Sequence, residues 1–83
     1  MKEKTKPFFR LKDEMVYLNL LNTELDDVKI KVYNSNNDLL YKETIKESII
    51  IEKAFNFKRA YQDSYTIVIK NKDGTFYEEV NID

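Results

Sequence analysis

The chain has no cysteine, no histidine and no tryptophan, and only one glycine and one proline. Without cysteine, neither a disulfide nor a thiolate metal site can brace the fold. Without histidine, the usual general base near neutral pH and the commonest transition-metal ligand are missing. Ser-His-Asp chemistry is impossible. With Gly74 as the only glycine, a glycine-rich phosphate loop cannot form. No apolar run approaches the ~20 residues that a membrane-spanning helix needs, so no membrane span is expected. No signal-peptide pattern is present, because Lys2 to Lys6 lead straight into Pro7.

Charge of one sign is missing too. The 83 residues carry a formal net charge of −1. A nucleic-acid groove usually needs a marked basic excess, so no nucleic-acid partner is expected. One local imbalance stands out at the start, where Lys2, Lys4, Lys6, Arg10 and Lys12 face Glu3. A solvated arm over residues 1–7 is the expectation, followed by a single domain over residues 8–83.

What the chain does have is a two-residue rhythm. Val28, Ile30 and Val32 alternate with Lys29, Lys31 and Tyr33. Tyr65, Ile67 and Ile69 repeat the pattern, as do Val16, Leu18 and Leu20. Phe76, Val80 and Ile82 share one parity, and Tyr77, Glu79 and Asn81 the other. Such alternation puts one row in a core and the other in water. Leu39 to Ile45 and Ile49 to Phe57 are also strand-like, the second interrupted by Lys53. Either that lysine lifts its ammonium to solvent over a packed stem, or a β-bulge shifts the register. Phe8 to Lys12 makes a possible seventh strand. Between the runs lie polar breaks at residues 22–27, 34–38 and 58–63, and Asn71-Lys72-Asp73-Gly74, where Asp-Gly favours a tight hairpin. The fold expected is all-β, an immunoglobulin-like sandwich of six or seven antiparallel strands.

Candidate chemistry is sparse. Asp13-Glu14, Asp26-Asp27 and Glu78-Glu79 are the adjacent carboxylates. Neighbours in a strand point to opposite faces, so Glu78 and Glu79 cannot act as a pair there. No enzyme activity and no cofactor are expected. Asn34, Asn36 and Asp38 have the oxygen spacing of some calcium loops, yet Ile45 stands where the bidentate glutamate belongs. A turn is the expectation, with a weak calcium site as the alternative. Phe55, Phe57, Tyr65 and Phe76 are assigned to the core. Lys29, Lys31, Tyr33 and Tyr77 are the candidate binding face, where lysines and rings share the outward parity. Ile49-Ile50-Ile51 would favour self-association if it lies on an open edge.

Two stretches carry a family likeness. Ile30 to Tyr41 fits a V-x-V-Y-x-x-x-G-x-x-V hairpin, and Phe55 to Ile69 fits F-x-L-x-x-L-x-x-G-x-Y-x-V-x-V. With the closing run Gly74 to Ile82, residues 28–82 resemble the small immunoglobulin-like modules secreted by bacteria of the Bacteroidetes type. They are similar in rhythm to the C-terminal sorting domains of type IX secretion. Asn37 or Asp38 stands where the first turn glycine is expected, and Asp63 where the second is. The final Asn81-Ile82-Asp83 lacks the basic last strand of sorting domains, so a free-standing secreted relative is the closer fit.

The resemblance implies an exported, periplasmic or extracellular module, non-catalytic, with a structural or binding role and a protein or envelope partner. On that reading the signal peptide is missing from the sequence given; a cytoplasmic protein is the alternative. A sorting or anchoring domain and a small-barrel nucleic-acid binder are the competing functions. Tyr65 sits where a tyrosine corner would, with its hydroxyl bonded to upstream backbone.

Overall fold

A computed structural model describes residues 6–83. Among the described residues seven strands follow one another without a helix: β1 (Phe8–Lys12), β2 (Met15–Leu21), β3 (Val28–Tyr33), β4 (Leu39–Ile45), β5 (Ile50–Asn56), β6 (Asp63–Asn71) and β7 (Gly74–Ile82). They form two antiparallel sheets, ordered β1-β2-β5 and β4-β3-β6-β7. The chain is therefore an all-β sandwich. The expected arm begins outside the described residues, which exclude residues 1–5.

The inward rows make the core. Val16, Leu18 and Leu20 of β2 meet Val28, Ile30 and Val32 of β3 and Tyr65, Ile67 and Ile69 of β6, all buried. Full burial of each such side chain is worth roughly 1.5–3 kcal/mol. The aromatic assignments hold, since Phe57 and Tyr65 are buried and Phe55 and Phe76 pack half-buried against them. On the edge strand β7, Glu78 shares the inward row, opposite Ile67, and stays half-exposed.

The two unsettled strands resolve differently. β5 keeps an unbroken register with β2, so no bulge accounts for Lys53. Lys53 points inward, and its ammonium lies 2.8 Å from Glu43 on β4. The pair bridges the two sheets at their open side. The bulge lies instead in the pairing of β3 with β4, between Val32 and Tyr33. Tyr41 pairs with Val32 and faces inward, whereas Leu39 pairs with Tyr33. The shared parity of Leu39 and Tyr41 is thus broken by the bulge, because an extra residue rotates the strand by one face.

The turns spend backbone strain where glycine is scarce. Asp13 and Glu14 link β1 to β2 with φ of 51° and 64°. Those angles suit a primed two-residue hairpin but cost an ordinary residue roughly 1–2 kcal/mol. Asn37, at φ 63°, takes the left-handed position for which the turn glycine is expected. Asp63 does not; it opens β6, accepting from Ser35 and Ser64 backbone amides at 3.4 and 2.8 Å. The β6–β7 loop is Lys72-Asp73, one residue earlier than an Asp-Gly turn, with Gly74 opening β7 at φ 146°. Asn71 Oδ1 accepts from the Asp73 and Gly74 amides at 2.8 and 3.1 Å and holds that turn.

Asn22 ties the loops together. It is buried at 7 % exposure. Its amide nitrogen donates to the Asp26 and Ser48 carbonyls at 2.9 and 3.0 Å, and its Oδ1 accepts from Asp26 N at 3.2 Å. A buried amide is stable only when satisfied in this way.

The Tyr65 hydroxyl donates to the Tyr61 carbonyl at 2.6 Å, and its ring lies 5.2 Å from that of Phe57. This is the bond back to upstream backbone that the sequence suggests. Tyr65→Phe should cost about 1 kcal/mol, the net worth of one hydrogen bond. Chemical denaturation checks it, and an unchanged midpoint would refute the assignment.

Candidate functional site

Lys29, Lys31 and Tyr33 leave β3 on the face opposite the core. Lys29 is exposed, while Lys31 and Tyr33 are half-exposed. Tyr77 of β7 is 69 % exposed on the same outer face. The four candidate residues do share a surface, that of the four-stranded sheet. Strand pairing sets their neighbours. Lys31 lies opposite Lys42 on β4 and Val68 on β6, and Val68 lies opposite Tyr77. Lys29 lies opposite Thr44 on β4 and Lys70 on β6. Tyr33 lies opposite Thr66, which faces Glu79.

Two lysine–lysine pairs therefore stand directly across strands, Lys31–Lys42 and Lys29–Lys70. Directly opposed like charges destabilise a sheet. Among the described residues, no carboxylate comes within ion-pair distance of these four ammoniums. Nearby acids are engaged elsewhere. Asp27 pairs with Lys46 at 3.5 Å, and Lys72 with Glu24 and Asp26 at 3.1 and 3.9 Å. Glu43, next to Lys42 in sequence, points the other way to Lys53. The Lys53 hydrogen bond, with that from the Tyr41 hydroxyl, holds the Glu43 carboxyl below its ordinary pKa.

Lys42 and Lys70 are absent from the candidate set read from the sequence. Periodicity places Lys29 and Lys31 on one face of one strand, but which lysines oppose them depends on pairing. The alternation of Tyr65, Ile67 and Ile69 turns Lys70 outward, but its meeting with Lys29 depends on the pairing of β3 with β6.

Other candidate features take structural roles. Asn34 Oδ1 accepts from the Asn36 and Asp38 amides at 3.0 and 2.9 Å, and Asn34 Nδ2 donates to Asp38 Oδ2 at 3.1 Å. The loop is a self-bonded turn. Among the described residues, no three acidic side chains gather as a metal site would require. Tyr17 packs under the Arg10 guanidinium, 5.1 Å from its ring centre, on the outer face of the other sheet. A hollow of about 530 Å³ opens between β4 and β5, lined by Leu40, Tyr41, Ala54, Phe55, Ala60 and Tyr61 among others. The β5 edge is open, with Ile49 and Ile50 at 55 % and 63 % exposure and Ile51 buried. No helix of the described residues is long and apolar enough to cross a membrane.

No protein-family model matches the chain, and no curated protein matches it.

Lys42→Glu turns one repulsive pair into an attractive one. It should raise stability by roughly 0.2–1 kcal/mol, with the gain shrinking as salt screens the pair. Thermal unfolding at low and high salt checks this; a lower midpoint at low salt would show that Lys31 and Lys42 do not repel.

Proposed function

We propose that the protein is a non-catalytic, exported immunoglobulin-like module that binds a partner through the outer face of its four-stranded sheet. The lysine cluster carries this reading. Two like-charged pairs, with no carboxylate within ion-pair distance among the described residues, oppose the stability of a small sandwich. A partner of opposite charge would relieve that repulsion through complementary potential across the interface. The strand order and the Tyr65 corner support the immunoglobulin-like assignment. Export rests on the likeness of residues 28–82 to secreted modules. The absence of histidine and cysteine supports a non-catalytic role.

Amine labelling of the protein in its source cells tests this reading. Recovered from outside the cytoplasm, the chain should show Lys31, Lys42 and Lys70 protected relative to Lys12 and Lys58. Equal labelling at all of these positions would overturn the binding face, and recovery from the cytoplasm would overturn export.

A further inference from the structure

We infer that the partner is a linear acidic polysaccharide lying obliquely across β4, β3 and β6. This inference rests on the binding-face reading above and gives it a ligand class. The lysines fall on one diagonal. Lys42 opposes Lys31, two residues along β3 comes Lys29, and Lys29 opposes Lys70. Cross-strand neighbours stand about 5 Å apart and alternate residues of a strand about 7 Å apart. The stripe therefore repeats a positive charge at short steps of about 5 and 7 Å, suited to a flexible polymer with a repeating anionic group.

All four cations are lysines. An ammonium on a flexible stem reads a point charge, whereas the arginine fork reads planar geometry. The acids that border the stripe, Glu43, Asp26 and Asp27, pair with Lys53, Lys72 and Lys46 instead. The surface offers shallow hollows rather than a pocket, one of about 220 Å³ beside Lys29, Lys31 and Lys42, and one of about 270 Å³ beside Lys29 and Lys70. A chain sliding across such a face is held by charge density, not by enclosure.

The rings favour a sugar over a base. Tyr77 stands free at the end of the row that runs through Val68 from Lys31. An exposed phenol beside an apolar neighbour suits the apolar face of one pyranose ring, with its hydroxyl left to bond. Tyr33 and Tyr77 lie two strands and one row apart, about 12 Å from strand spacing and rise. Thr66 and Val68 fill the gap. Successive stacked bases need a continuous aromatic platform, which this face lacks.

The test is titration of the isotope-labelled chain with a uniform oligogalacturonate, followed by backbone amide shifts. Shifts should cluster at residues 29–31, 42, 68–70 and 77. Affinity should fall roughly tenfold or more between about 50 and 200 mM salt, as ion release requires. Lys31→Glu and Lys70→Glu should each abolish binding while unfolding no earlier than the parent. Tyr77→Ala should weaken it severalfold. Neutral dextran should not bind, and a thymidine oligonucleotide should bind more weakly than the uronate.

Absence of binding at low salt, or binding unaffected by both glutamate variants, would overturn the inference. Tighter binding of the oligonucleotide would assign the stripe to nucleic acid instead. Equal binding of poly-glutamate with Tyr77→Ala silent would reduce it to bare charge and remove the sugar. The cellular labelling separates the two levels. Protected lysines without uronate binding would leave the binding face standing and remove only the polysaccharide.

Discussion

The inward rows of β2, β3 and β6 are the constraint on which the rest depends. Each buries three apolar side chains, and together they supply nine of the core side chains. A chain this short has little surplus stability, so this apolar contact must be kept continuous. A single-residue slip in any of the three strands would turn its apolar row to water. That penalty fixes register, and register fixes what stands on the other side.

The outer face is thus a by-product of the core that selection can use. Once Val28, Ile30 and Val32 are committed inward, Lys29, Lys31 and Tyr33 must point out. The antiparallel pairing then brings Lys42 and Lys70 beside the two lysines, regardless of electrostatic preference. At the open side of the sandwich the opposite solution is used, where the inward Lys53 is met by Glu43. One molecule therefore neutralises the lysine that faces inward and leaves four others unneutralised on the outer sheet face. The contrast is the strongest physical reason to regard the outer cluster as functional.

Much of the sandwich was legible in the sequence because a half-buried strand writes its period directly. The alternating rows of β2, β3, β6 and β7 were readable, and so was the Tyr65 corner. The β1–β2 hairpin was only half readable. Its turn is Asp13-Glu14 in left-handed backbone, a conformation normally signalled by asparagine or glycine. The β3–β4 bulge was unreadable for another reason. An extra residue leaves both strands rich in strand formers while shifting one face of the pattern. Asn22 gave no signal either, since its bonds run to loops that meet only in the folded chain.

The candidate face was legible to the extent that it lies on one strand. Lys29, Lys31 and Tyr33 follow from periodicity, and Tyr77 from its own alternation. Their assembly into a stripe with Lys42 and Lys70 is a property of pairing, which no local pattern states. The Lys53–Glu43 bridge is of the same kind, ten residues apart in sequence and joined across two sheets.

The account holds that stability resides in the inner rows and that the outer lysines contribute none. The most direct test replaces Lys29, Lys31, Lys42 and Lys70 together with threonine, a good strand former, and measures the denaturant midpoint. The account predicts a midpoint at or above that of the parent chain. A clear fall would contradict it, because the four lysines would then be part of what holds the sheet together.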